Sequence, residues 1–179
     1  MRHAHLIMKT SHTQSHMISE KKVRGVIEKI VVNAGVGKAG REGQFEDKIL
    51  PRIVHDVSLL AGQKPHTRGA KQAIASFRLR EGQVVGLRVT LRGKKMVDFF
   101  ERLVTIVLPR TPDFHGISLE KIDEGGALHV GFREQFVFPE INPEESTFAF
   151  SLGVNIVPKK KKKGGAVEMY RELGVPLQK

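Results

Sequence analysis

Two hydrophobic periods alternate along this chain. Val26 to Asn33 (VIEKIVVN) is apolar and β-branched, which predicts a strand running into Asn33-Ala34-Gly35-Val36-Gly37. Phe45, Ile49, Ile53, Val57 and Leu60 recur at three- or four-residue spacing, which predicts a helix packed on one face. Pro51 should kink that helix or mark its first turn, and Gly62 followed by Pro65 should end it. Ala73, Ala75, Phe77 and Leu79 alternate with Ile74, Ser76, Arg78 and Arg80, and Val85, Leu87, Val89 and Leu91 with Gly86, Arg88, Thr90 and Arg92, predicting a hairpin turned at Glu81-Gly82. Its outer face would carry Arg78, Arg80, Arg88 and Arg92. Met96, Phe99, Phe100, Leu103, Val104 and Val107 predict a second helix, stopped by Pro109. Leu128 to Phe138 and Phe148 to Val157 alternate as two further strands, and Ala166 to Leu173 suits a short terminal helix.

Residues 1–22 show no period. They are polar, include His3, His5, His12 and His16, and read as an extension in front of one α+β domain spanning 23–179. The irregular interleaving of strands and helices, with hairpin-length links, predicts an antiparallel sheet with helices on one face rather than a wound parallel sheet.

Composition narrows the chemistry. The 179 residues contain no Cys and no Trp, which excludes disulfide frameworks, zinc ribbons and a Cys nucleophile. No apolar run approaches the roughly 18–20 residues of a membrane span, and the first residues hold no signal-peptide core. A cytoplasmic protein is expected. Lys and Arg exceed Asp and Glu by 30 to 19, a net charge of +11. Between Lys64 and Lys95 stand nine basic residues and one acid, Glu81. The stretch from Asp113 to Glu145 holds only two basic residues, Lys121 and Arg133, among many acids. A solvated surface would mix the signs. This segregation points to a polyanion-binding face, nucleic acid before anionic lipid. The run Lys159 to Lys163 before Gly164-Gly165 reads as a flexible basic tail or loop.

Other chemistries fail on context. Gly35-Val36-Gly37-Lys38-Ala39-Gly40 matches the dinucleotide fingerprint in form, but Asp56 falls inside a helical pattern instead of closing a second parallel strand. Arg41-Glu42 after Gly40 denies a P-loop. Asp113, His115 and Ser118 are near one another in sequence, which is no evidence for a triad. His66 and His129 read as surface or satisfied residues, and no enzyme, cofactor, metal or small-molecule substrate is called for. Ten Phe and one Tyr fall mostly at core-periodic positions, which argues against stacking of single strands and for shape-based grip on duplex RNA.

A longer series of motifs is more specific. Asn33-Ala34-Gly35-Val36-Gly37, Gly62-Gln63-Lys64-Pro65, Ile74 to Gly82 (IASFRLREG), Gly86 to Gly93 (GLRVTLRG), Phe99 to Leu103 (FFERL), Leu108-Pro109-Arg110 and Phe138-Pro139-Glu140-Ile141 follow in order. Together they resemble the bacterial form of the large-subunit ribosomal protein L-five family over about residues 26–157. The resemblance implies a non-catalytic protein that binds 5S rRNA in the central protuberance, with 23S rRNA, P-site tRNA and small-subunit protein S-thirteen as further partners. Carried over by position, Asn33, Gly35, Gly37, Gln63, Lys64, Arg78, Arg80, Arg88 and Arg92 would belong to the rRNA side. A loop from Gly62 to Lys71, with Lys64, His66, Thr67, Arg68 and Lys71, would face tRNA. Arg110, Asp113, Phe114, His115 and Asp123, within the segment from Pro109 to Gly126, would form the intersubunit bridge. The sequence departs from the family where Pro112 and His115 replace Arg, where Asp123-Glu124-Gly125-Gly126-Ala127 replaces Asp-Gly-Arg-Gly-Asn, and where the polar, His-rich residues 1–22 match the N-terminal amphipathic helix poorly. An RNA chaperone acting off the ribosome is the rival reading; it would bind many RNAs alike.

Overall fold

The computed structural model describes residues 20–37, 44–77, 79–146, 148–160 and 162–178. The antiparallel α+β expectation holds. Five strands form one sheet: β1 (Ile27–Gly35), β2 (His66–Gly69), β3 (Val84–Leu91), β4 (Leu128–Phe132) and β5 (Ser151–Pro158), in the order β2-β3-β1-β5-β4 with every pair antiparallel. The helices are α1 (Glu20–Val26), α2 (Leu50–Ala61), α3 (Gly93–Arg102), the short α4 (Leu108–Arg110) and α5 (Lys163–Glu172).

Strand alternation assigns one sheet face to the core. Ile30, Val32 and Ala34 of β1, Leu87, Val89 and Leu91 of β3, and Leu152, Val154 and Ile156 of β5 are all buried. They pack with Ile53, Val57 and Leu60 of α2 and Met96, Phe99 and Phe100 of α3. Phe138 stacks on Phe99 at 6.0 Å and meets Phe132 edge-on at 5.6 Å, which joins the segment after β4 to α3.

Three sequence expectations are corrected. The alternating stretch Ala73 to Leu79 is not a strand. Its place beside β3 is taken by β2, and residues 70–83 form a loop closed at its base by Ala70 N–H to the Gln83 carbonyl (2.8 Å) and Gly82 N–H to the Ala70 carbonyl (3.0 Å). Ile74 and Leu79 bond to each other instead, N–H to carbonyl in both directions (3.0 and 3.1 Å), so the stretch doubles back on itself. A Cβ on Gly69 would come within 2.8 Å of the Gly82 carbonyl, so only glycine lets the two arms of this loop close.

Pro109, secondly, does not stop its helix. The chain stays helical from α3 through a π turn (Leu103–Val107) into α4. The same device opens α2, where the π turn Phe45–Ile49 precedes Leu50-Pro51-Arg52 as Leu103–Val107 precedes Leu108-Pro109-Arg110. In both, the Leu N–H bonds the carbonyl five residues back, Phe45 or Leu103. Proline supplies no N–H and crowds the carbonyl four residues earlier, so widening the preceding turn relieves the crowding without ending the helix.

Thirdly, the lysine run is no tail. It links β5 to α5, with Lys159 Nζ donating to the Arg24 carbonyl (2.6 Å) and Lys163 pairing with Glu124; Lys161 lies outside the described residues. β4 ends at Phe132, earlier than the alternation suggests, and Gln135 starts a single 3₁₀ turn there.

Buried polar contacts tie these pieces together. Gln135 donates to the Phe148 carbonyl (2.6 Å) and Ser146 Oγ (3.1 Å), and accepts from Phe150 N–H (2.9 Å). Ser146 in turn donates to Asp56 of α2 at 2.6 Å. Arg102 pairs with Glu140, donates to the Leu60 carbonyl (3.1 Å), and lies over the Phe99 ring. Burial lowers the Arg102 pKa, and Glu140 Oε2 is buried with no partner among the described residues. Arg102→Ala therefore leaves a carboxylate without its counter-ion, and we expect a loss of about 2 kcal/mol, discounted from fully buried pairs because both side chains keep some exposure. The double variant Arg102→Ala/Glu140→Gln should recover part of that loss in urea unfolding; equal midpoints for the single and double variants would show that the ion pair is not what matters.

Candidate nucleic-acid interface

The sheet face away from the core has no helix laid on it among the described residues. Strand register puts Lys29, Val31, Asn33 and Gly35 of β1 on this open face with Gly86, Arg88 and Thr90 of β3, His66 and Arg68 of β2, Ser151, Gly153, Asn155 and Val157 of β5, and His129 and Gly131 of β4. All are half-buried or exposed, and none is Asp or Glu. One row crosses the whole sheet as His66, Arg88, Asn33, Gly153 and Gly131. A Cβ on Gly131 or Gly153 would meet no atom within 4 Å, so neither glycine is required by internal packing. Their absence of side chain leaves bare backbone on the open face of β5 and β4.

Positive charge runs along one border of this face. Lys95 Nζ donates to the Gly62 carbonyl (2.8 Å), which brings the start of α3, with Lys94, up to the link that carries Gln63 and Lys64. Arg92 stands in extended conformation just before α3. From there β2 and β3 present His66, Arg88 and Arg68, and the loop 70–83 continues with Lys71 and Arg80, both exposed.

The sequence-derived site residues are thus distributed over one continuous region, though not as the expected hairpin. Asn33, Gly35 and Arg88 share the open face; Gly37 follows β1 in a turn; Gln63 and Lys64 sit in the α2–β2 link; Arg80 is on the loop, not opposite Arg88. Arg78 and the second half of the Gly35–Gly40 motif lie outside the described residues, as does the His-rich N-terminus. The expected tRNA-facing loop from Gly62 to Lys71 contains an edge strand: His66, Thr67 and Arg68 belong to β2, and the loop that follows it begins at Ala70. Arg110 ends α4, Asp113 adopts a left-handed conformation (φ 53°), Phe114 is half-buried and His115 exposed. Asp123 is apart from these four. It lies on the turn before β4, where its carboxylate accepts from Ala127 N–H (2.8 Å) and contacts His129 Nε2 (3.1 Å).

That last contact belongs to a cluster missed in the sequence. His129 Nδ1 lies 2.8 Å from Asn155 Oδ1 across the β4–β5 pair. His129 and Asp123 are six residues apart around a turn, a signal that spacing alone could have raised; Asn155 needed the strand register. The Asn155 amide, and then the Asp123 carboxylate, hold the His129 pKa above its ordinary value against partial desolvation. The His129 ring, followed by the Ala127 N–H, lowers that of Asp123. Below this turn, Tyr170 of α5 donates its hydroxyl toward the Gly126 and Ile156 carbonyls, and burial raises its pKa.

The site is therefore an open, predominantly basic sheet face of an α+β protein. Two family models describe the chain: "Ribosomal protein L5" over residues 25–80, and the C-terminal region of the same ribosomal family over 84–177. The large ribosomal subunit protein uL5 of Latilactobacillus sakei is 41% identical over 174 residues, covering 97% of this chain and 91% of that protein. The protein of that name from Oceanobacillus iheyensis is 42% identical over 153 residues, covering 86% and 83%. The chain belongs to the ribosomal protein L5 family: it is a ribosomal protein, not an enzyme. Among the described residues no helix is long and apolar enough to cross a membrane.

The titration of the cluster has a definite sign. His129 has a raised pKa in the folded state, so its contribution to stability is complete below its ordinary value of about 6.5 and is lost as pH rises through the folded value. Urea midpoints measured from pH 6 to pH 8.5 should fall for the native protein and fall less for His129→Gln. Parallel curves for the two would mean that the cluster contributes nothing to folding.

Proposed function

We propose that this chain binds 5S rRNA in the large ribosomal subunit through the open sheet face and its basic border. The carrying observation is that the strands bring Lys29, Arg68 and Arg88 to this one face, while the two carboxylates beside it, Glu28 and Asp123, are each paired with a basic neighbour, Lys29 and His129. Arg88, Arg68 and Lys29 would meet phosphates, while Asn33 and the uncovered backbone at Gly153 and Gly131 allow a ribose–phosphate strand to approach closely. Duplex RNA hides its base edges in a narrow major groove, so a rigid, flat surface with few aromatics suits recognition by shape. A position in the central protuberance, with further contacts to 23S rRNA, belongs to the same reading.

Two more surfaces complete it. The basic edge formed by Lys64, β2 and the exposed loop beginning at Lys71 would face P-site tRNA. The segment from Arg110 to His115 stands at the far end of the α3–α4 helix and is pinned at Ile117, whose N–H bonds the Pro176 carbonyl (2.8 Å) and whose carbonyl accepts from Gln178. This anchored segment would meet the basic small-subunit protein S-thirteen.

The test is a titration with 5S rRNA and with a folded tRNA across a salt series. About six to eight neutralised phosphates would give a slope of log affinity on log salt of several units, with a preference for 5S rRNA that persists as salt rises. Arg68→Ala/Arg88→Ala should lower that slope by about two. Gly153→Val is the sharper variant: the side chain enters empty space, so folding stability should hold or rise, while 5S rRNA affinity should drop at least about tenfold. A stable Gly153→Val protein with unchanged affinity would remove the open face from the reading. Equal affinities for both RNAs that collapse together with salt would remove the specificity.

A further inference from the structure

His129, Asp123 and Asn155 form a cluster on the open face whose hydrogen bonds admit only two arrangements. Asp123 is an acceptor, so His129 Nε2, 3.1 Å away, must carry a proton in both. The nitrogen that gains or loses a proton is therefore Nδ1, which faces Asn155 at 2.8 Å. With Nδ1 protonated, the Asn155 amide turns its oxygen to the ring, as observed. Its Nδ2 then has no partner among the described residues. With Nδ1 bare, the amide satisfies the ring only by rotating half a turn and donating from Nδ2, which leaves the oxygen outward instead.

We propose that Asn155 is an RNA-contacting residue of the open face, and that the protonation of His129 decides whether it shows RNA a donor or an acceptor. This rests on the reading of the open face as the RNA surface. Phosphate oxygens only accept hydrogen bonds, so the outward NH₂ favours RNA and the outward carbonyl opposes it. By linkage, bound RNA favours the protonated ring as much as the protonated ring favours RNA.

Little else near the ring can shift this balance. Among the described residues, Asp123 on the preceding turn is the only charge in contact with it. Glu124 on the same turn pairs with Lys163 of α5, and the buried Tyr170 hydroxyl stays neutral with its pKa raised. The neighbours in the same row on β1 and β3, Val31 and Thr90, do not titrate.

The experiment has an arm without RNA and an arm with it. In the free native protein, nitrogen-15 NMR should show Nε2 protonated throughout and Nδ1 titrating. As Nδ1 loses its proton, an Asn155 Nδ2 proton should become hydrogen-bonded to it; an amide that never turns overturns the proposal. With 5S rRNA, the native protein should bind about three- to tenfold more tightly at pH 6 than at pH 8.5, an effect the size of one hydrogen bond. Asn155→Ala should reduce that ratio to the residue left by other histidines, while His129 continues to titrate. Arg88→Ala should weaken binding at both pH values and keep the ratio. If Asn155→Ala keeps the full ratio, the pH dependence is charge alone and the proposal is wrong. If Arg88→Ala and Gly153→Val leave binding unchanged, it is the open-face reading itself that fails, whatever the amide does.

Discussion

β1 is hydrogen-bonded along its length on both sides, to β3 and to β5, and the rest of the molecule is arranged around that double ladder. A strand in this position can expose neither edge, so its only freedom is which residues face which way. Ile30, Val32 and Ala34 turn to the helices; Val31, Asn33 and Gly35 turn out. Because neighbouring strands are locked to it in register, the choice made in β1 is repeated in β3, where Leu87 turns in and Gly86 and Arg88 turn out, and in β5, where Val154 turns in and Gly153 and Asn155 turn out. A slip of one residue anywhere in this ladder would place Arg88 in the core and Val89 in water. The hydrophobic pattern that builds the core thus also fixes the composition of the opposite face.

What could be read in the sequence followed from this coupling. The alternation in residues 26–33, 85–92 and 148–157 predicted strands close to β1, β3 and β5, since in each the apolar set is large enough to decide the face. It failed at Ala73 to Leu79, where Ile74 and Leu79 pair with each other and the loop is held by backbone bonds at its base. The two prolines differed. Pro51 does mark the first turn of α2, as expected, but Pro109 misled, because it follows a turn that widens to receive it and nothing in hydrophobic spacing distinguishes a π turn from a helix end.

The candidate interface was legible as charge and illegible as geometry. The excess of Arg and Lys between Lys64 and Lys95 stood out in one dimension, and Arg88 does belong to the open face. The residues that leave the face bare come from far along the chain: Gly153 comes beside Asn33, and Gly131 beside Gly153, only through the β1–β5–β4 pairing. The His129 cluster likewise joins positions 26 residues apart. Composition records how much charge a surface can carry; pairing decides what stands next to it.

The outer edge of β2 carries a consequence for the free protein before it meets RNA. Its four residues are all exposed, no strand among the described residues pairs with its outer side, and such an edge is the kind of template on which another chain's strand can grow. Here the edge is short, its register shifts between Arg68 and Gly69, and Arg68 sets a positive charge on it. Two such edges brought together would repel and run out of partners after a few residues. The charge of Arg68 therefore opposes edge-to-edge pairing between two copies of the chain.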